Sequence, residues 1–273
     1  MSAALRSEGH RPVSAALRRF RFRSKWLRRP VVAWRHRGLR GGDALLVAYP
    51  RSGSTWLSFM LCEALSGTRG MFGELDACVP YVGFQRGATG ILTGGARLIR
   101  SHETRGVRGH RVVYLVRDPR SVVLSEYRWQ QMEGHFEGGF DAFLADFLDG
   151  SCNPWGSWGD HVRFWLGDSA ESPPRLVVRY SELRADPRQA LAEVLAYLDE
   201  TPAPGAIARA VADNSLAAMR AKEQEAAVPK HRNDLALVGE GSVSGWRDAL
   251  APDASQLIVD TFADDYRLAG LVP

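Results

Sequence analysis

Twice in this chain a short apolar run ends in a turn and passes directly into a helical pattern. The first is Leu45-Leu46-Val47-Ala48-Tyr49-Pro50-Arg51-Ser52-Gly53-Ser54-Thr55-Trp56-Leu57, the second Val112-Val113-Tyr114-Leu115-Val116-Arg117-Asp118-Pro119 continuing to Tyr127. A strand without alternation is apolar on both faces and needs cover on both, and a strand feeding a helix is half of a parallel crossover. With short apolar runs also at Ala96 to Arg100 and Arg175 to Arg179, beside strands over Ala44 to Tyr49 and Arg111 to Val116, the expectation is an α/β fold of three layers. Its centre is a parallel sheet flanked by helices.

Helix ends are marked as clearly. Asp186-Pro187 reads as an N-cap followed by proline at the first helical position, after which Leu191, Val194, Leu195 and Leu198 share one face. Gly67 is placed to stop the helix that begins near Ser54, and Gly70 to Gly95 is Gly-rich with little periodicity, a candidate rim for a substrate mouth. At 273 residues and 45% hydrophobic, one large domain is expected over residues 43–273. Residues 1–42 differ: twelve Arg or Lys stand against a single acid, Glu8. There Leu17, Phe20, Phe22, Trp26, Leu27 and Trp34 interleave with the cations, a candidate for peripheral membrane contact, but Pro30 should interrupt a helix and a solvated arm is preferred. The acidity of the remainder argues against a nucleic-acid binder.

No run approaches the roughly 18 apolar residues of a membrane span, and the start lacks a secretory apolar core, so a cytoplasmic protein is expected. Cys62, Cys78 and Cys152 are odd in number and lack metal-ligand spacing. Reduced, buried thiols are the expectation, with neither a disulfide nor a metal site.

In the first strand–turn–helix, the unpaired N–H groups opening the helix favour an anion, with Ser52, Ser54 and Thr55 adding hydroxyl donors and Arg51 a charge. A P-loop kinase is a rival, but its GxxxxGK[ST] is absent and no lysine stands between Lys25 and Lys222. The segment YPRSGSTW resembles the 5′-phosphosulfate loop of the PAPS-dependent sulfotransferase family, usually YPKSGTTW, where PAPS is 3′-phosphoadenosine-5′-phosphosulfate and PAP its product. The resemblance implies a P-loop-like fold, in which Arg51, Ser52, Gly53, Ser54 and Thr55 hold the phosphosulfate and Trp56 stacks on adenine. Arg51 departs from the family lysine. A guanidinium supplies charge, but it does not serve as a proton donor.

The second strand–turn–helix is similar to the family's RxPxxxxxS motif, which places Arg117 and Ser125 on the 3′-phosphate. Leu98-Ile99-Arg100-Ser101-His102-Glu103 corresponds to its KTH segment, implying His102 as the base for the acceptor's proton and Arg100 beside the sulfuryl group. Glu103 is the rival base. Trp155 to Trp165 looks like the GSWxxHVxxW helix, with Trp158, Phe164 and Trp165 equally readable as core. Tyr180 in Arg179-Tyr180-Ser181-Glu182-Leu183 and Ser215-Leu216 after Asn214 match nucleotide-side positions. The run Gly239 to Arg247 is similar to the closing loop RKGxxGDW and keeps Gly241, but Gly239 and Glu240 replace the Arg-Lys pair that clamps the 3′-phosphate. Lys230, Arg232 and Arg247 are candidate substitutes.

The family likeness therefore implies sulfuryl transfer from PAPS to a hydroxyl, less readily an amine, by in-line displacement with a histidine base and no metal. A non-catalytic PAP-binding scaffold is the alternative that the altered loop keeps open. Phe72, Tyr81, Phe84, His135, Phe136 and Trp155 are candidates for a pocket taking an aromatic, lipidic or glycosylated small acceptor.

Overall fold

The computed structural model describes residues 25–104, 109–167, 174–226, 238–239 and 241–273. In chain order these form α1 (Lys25–His36), β1 (Ala44–Ala48), α2 (Ser54–Ser66), α3 (Leu75–Cys78), β2 (Leu98–Ser101), β3 (Arg111–Val116), α4 (Pro119–Met132), α5 (Phe140–Leu148) and α6 (Trp158–Leu166). There follow β4 (Arg175–Arg179), α7 (Tyr180–Ala185), α8 (Pro187–Tyr197), α9 (Ala206–Asp213), α10 (Leu216–Glu225), α11 (Trp246–Ala249), α12 (Pro252–Thr261) and α13 (Ala263–Ala269).

The four strands pair in parallel in the order β2-β1-β3-β4. In β1 the pleat divides an unbroken apolar run between two cores. Ala44, Leu46 and Ala48 pack among residues of α2, α8 and α9, whereas Leu45, Val47 and Tyr49 pack among residues of α5, α6, α12 and α13. This is the three-layer arrangement that the lack of alternation requires. From β1 the chain passes to one side, into β2, and then crosses to the other, into β3. The strand order thus reverses beside β1, and loops leaving neighbouring strands part there to make a crevice.

Local signals behave as their chemistry dictates. Asp118 accepts from the Arg120 amide at 2.9 Å ahead of Pro119, and Asp186 accepts from the Arg188 and Gln189 amides at 3.1 and 3.0 Å ahead of Pro187. Gly67 ends α2 at a φ of 71°. The second strand starts later than its apolar run implies. Ala96 turns back to accept from the Leu92 amide, and Arg97 is buried in a pair with Asp43 at 2.6 Å at the foot of the sheet.

Two expectations are corrected, and one open reading is decided. Pro30 lies inside α1, which runs through it, since a proline removes only one intrahelical donor. Cys62 and Cys78 are joined by a disulfide, with Cα atoms 6.1 Å apart, because the return from α2 into α3 lays the two helices together; Cys152 alone is a free, buried thiol. Phe164 faces outward with 36% of its surface accessible, unlike the buried Trp158 and Trp165 on the same helix. Leu17, Phe20 and Phe22 of the basic segment lie outside the described residues. Among the described residues, no helix is long and apolar enough to cross a membrane.

Candidate active site

The C-terminal ends of β1, β2 and β3 and the first turn of α7 open into one cleft of about 1700 Å³. The turn after β1 is wound tightly: Arg51 has a φ of 65° and Gly53 a φ of 99°. Only glycine suits the second position, because a Cβ there would lie 2.7 Å from the Tyr180 ring. The loop therefore rests on Tyr180, whose hydroxyl donates to the Gly241 carbonyl at 3.3 Å, so β1, α7 and the closing loop meet at one side chain. Ser52 Oγ is buried here without a hydrogen-bond partner. Ser54 and Thr55 line the cleft at the opening of α2.

Arg117 spans the same junction. Its Nη1 donates to the Arg51 carbonyl and its Nη2 to the Ser242 carbonyl, both at 3.1 Å, its guanidinium carbon lies 4.2 Å from the Tyr180 ring centroid, and its buried Nε has no partner. Arg51 donates from Nε to Ser125 Oγ at 3.1 Å and lies 5.0 Å from the Trp129 ring centroid. Burial lowers the pKa of both guanidinium groups, and for Arg117 the neighbouring Arg51 and Arg184 add to the fall. The two remain cations at neutral pH. A buried, unpaired N–H and O–H beside two such cations is a donor set suited to an oxyanion.

His102 leaves the end of β2 and stands between two rings, with Tyr81 and Trp155 centroids 5.4 and 5.2 Å away. Tyr81 is brought there by a bridge to Arg100 outside the edge of β2. His102 Nδ1 is 2.6 Å from the Ala48 carbonyl, which can only accept, so Nδ1 carries the proton and Nε2 the lone pair. Burial, with the charges of Arg100 and Arg51, lowers its pKa to about 4 despite the carbonyl's opposing effect. The imidazole is therefore neutral over the physiological range.

The remaining sequence candidates divide. Arg100 lies in the cleft wall but donates to the Val79 carbonyl at 2.8 Å and to Asp76, with Tyr81 4.1 Å from its guanidinium carbon. Its donors are thus turned onto α3 and the segment after it. Glu103 is buried and paired with Arg35 at 3.3 Å. Trp56 donates from Nε1 to the Asn214 carbonyl at 2.7 Å. Leu216 lines the cleft, whereas the exposed Ser215 accepts from the Ala218 amide at 3.3 Å as the cap of α10. Phe72, Tyr81, Phe84, His135 and Trp155 line the cleft. Phe136 does not, since it packs against Tyr127 and Phe143. Arg247 borders a separate recess of about 290 Å³, while Lys230, Arg232 and Glu240 lie outside the described residues.

Two cleft residues carry no motif. Glu126, adjoining Ser125 on α4, is buried; its Oε1 accepts from Gln130 at 2.9 Å, its Oε2 is unpartnered, and burial raises its pKa. Arg184 lines the opposite wall, its guanidinium carbon 5.3 Å from the Trp56 ring centroid. Its position four residues after Tyr180, on the same helical face, was the available sequence signal.

A parallel α/β sheet with a tight glycine turn after β1 and a second cationic junction after β3 defines a P-loop-like α/β fold. The match to the sulfotransferase domain model runs from residue 96 to 270, and the chain belongs to that family. Sulfotransferase 1B1 of Mus musculus is 27% identical over 205 residues, covering 66% of each chain. Sulfotransferase 2B1 of Homo sapiens is 28% identical over 196 residues, 67% of this chain and 53% of that one. The chain thus spans between half and just under two thirds of these relatives' length. A mouse sulfotransferase complexed with PAP superposes with a TM-score of 0.61 at 21% identity over 84% of both chains. Retinol dehydratase in complex with retinol and PAP gives 0.68 at 16% identity, covering 88% of this chain and 86% of that one. At these identities the structural likeness establishes the fold.

Proposed function

We propose that the protein transfers a sulfuryl group from PAPS to a hydroxyl of a small acceptor, with His102 as the base. The observation that carries this reading is the placement of His102: Nδ1 lies 2.6 Å from the Ala48 carbonyl at the end of the same strand that feeds the turn at Arg51, an acceptor that calls for the proton on Nδ1 and leaves Nε2 as the proton acceptor. Fixing a histidine by its far nitrogen is what general-base work requires. A scaffold that only held the nucleotide has no need of it.

The donor set fits the nucleotide. Arg51, Ser52, Ser54 and Thr55 would hold the phosphosulfate, Trp56 and Tyr180 the nucleoside side, and Arg117 with Ser125 the 3′-phosphate. Bound there, PAPS would supply the sulfur, whose bond to the bridging phosphate oxygen breaks as the acceptor oxygen bonds to it, releasing PAP. Arg51 and the opening of α2 stabilise the negative charge that develops in such a transfer. His102 takes the acceptor's proton at Nε2. Phe72, Tyr81, Phe84 and Trp155 support an acceptor with an apolar or glycosylated body that is positioned by packing and oriented by few polar contacts.

Calorimetry with PAP and with 5′-AMP, which differs by the 3′-phosphate, tests the donor site. An acceptor screen with PAPS then tests turnover. Preference for PAP and a rate abolished by His102→Ala are expected. Equal binding of the two nucleotides would refute the donor site, and transfer at near-normal rate in His102→Ala would refute the base.

A further inference from the structure

The family's closing loop carries an Arg-Lys pair for the 3′-phosphate, and this chain has Gly239 and Glu240 there. We infer that Arg184 of α7 supplies the missing cationic clamp, an assignment that rests on the PAPS reading above. Three observations converge on it. First, Tyr180 and Arg184 are one helical turn apart and share a face, so the element that supports Arg117 through Tyr180 also aims Arg184 at the cleft. Second, Arg184 reaches the altered loop itself: a Cβ added to Gly241 would lie 3.8 Å from its guanidinium carbon and 3.7 Å from the Tyr180 hydroxyl.

Third, among the described residues Arg184 forms no ion pair, whereas Arg97, Arg111, Arg120, Arg163 and Arg179 each pair with a carboxylate. Among the described residues, its neighbour Arg117 hydrogen-bonds only to carbonyls and keeps a buried Nε without a partner. Arg184 lies close enough to lower the pKa of Arg117, and two such like charges repel until an anion sits between them. A phosphate monoester, with up to two charges and three acceptor oxygens, satisfies both forks.

The alternative partner for Arg184 is the base stacked on Trp56, since the guanidinium now lies near that ring. The two roles separate by nucleotide. PAP and 5′-AMP share the adenine and differ in the 3′-phosphate, so calorimetric affinities for both are measured on wild type, Arg184→Gln, Arg184→Lys and Arg220→Gln, the last removing another cation of the same cleft. Arg184→Gln is expected to weaken PAP by about ten- to a hundredfold, the span of a charge-assisted hydrogen bond, with 5′-AMP nearly unchanged. Arg184→Lys should lie between, and should report the clamp even if Arg184→Gln folds poorly. Equal weakening of both nucleotides assigns Arg184 to the adenine and overturns the clamp. So does undiminished PAP preference in both Arg184 variants, or a selective loss in Arg220→Gln instead. A wild type without PAP preference overturns the donor site as well; a wild-type preference that survives Arg184→Gln overturns the clamp alone.

Discussion

Arg51 Nε donates to Ser125 Oγ at 3.1 Å, which ties the loop after the first strand to the second turn of the helix after the third. The residues read from sequence as two separate anion motifs thus meet in one cleft. The bond also means that Arg51 has a neutral partner to leave when a stronger, charged acceptor arrives, so the loop starts partly ordered and loses little by switching.

Ser125→Ala removes that partner and, on the function proposed above, a hydroxyl from the 3′-phosphate side together. PAP affinity should fall about tenfold, in line with one hydrogen bond to a charged group, with the melting temperature close to wild type. Calorimetry beside a thermal melt measures both. A large drop in stability with no change in affinity would place Ser125 in the scaffold and outside the site.

The pH profile follows from His102. Because burial and two nearby guanidinium groups hold its pKa at about 4, the proposed base is already deprotonated at pH 5.5, and kcat/KM should be flat from there to pH 8 and fall only as the pH approaches 4. This lies well below the decline that an exposed histidine near 6.5 would give. Stability follows in the same direction. His102 and the buried His161, held at about 3, bind protons more weakly in the folded chain than in the unfolded one, so stability is lost as pH falls below about 6.5 toward those values. A midpoint near 6.5 in the kcat/KM profile would remove His102 from the role.

The sheet was legible because its strands are apolar throughout, a pattern that admits few folds, and the helix starts were legible because proline and aspartate act locally. The likeness of two strand–turn–helix segments to family motifs points to Arg117, Ser125 and Trp56, and all three line the cleft. What escaped depends on contacts between distant segments. The Cys62–Cys78 bond exists only because α3 folds back on α2, and Arg100 is drawn onto Asp76 by that same return. Ser215 sits within a nucleotide-side motif, yet as a helix cap its hydroxyl is committed to its own backbone. Arg184 belongs to no motif, and it becomes meaningful only once Tyr180 and Gly241 are seen beside it.

Behind the Trp56 platform lies a buried polar cluster. Lys222 donates to Glu63 and, at 2.9 Å, to Asn214 Oδ1, and Asn214 Nδ2 donates to Glu63 at 2.6 Å, while the Asn214 carbonyl holds Trp56. Removing one member strands a charge in the interior, so Lys222→Met should cost about 3–5 kcal/mol and loosen nucleotide binding through Trp56. Lys222→Met with Glu63→Gln should recover much of the stability. Chemical denaturation of the single and double variants reads this cycle, and additive losses would show that the two charges do not depend on one another.

The disulfide links the helix that opens the phosphate loop to the short helix whose Asp76 holds Arg100, so its reduction should be felt at the cleft as well as in stability. A bond across 16 residues removes enough freedom from the unfolded chain to be worth roughly 3 kcal/mol, and for a chain of this size its loss should lower the melting temperature by about 6–12 °C. Cys62→Ser and treatment of the wild type with a thiol reductant should give matching shifts, while Cys152→Ser should leave the response to reductant intact. Thiol titration of the denatured chain, purified without reductant, checks the premise: Cys152 alone should react. Should all three cysteines react and reductant leave the melting curve unmoved, α3 would be held by the Asp76–Arg100 pair and its apolar contacts rather than by the disulfide.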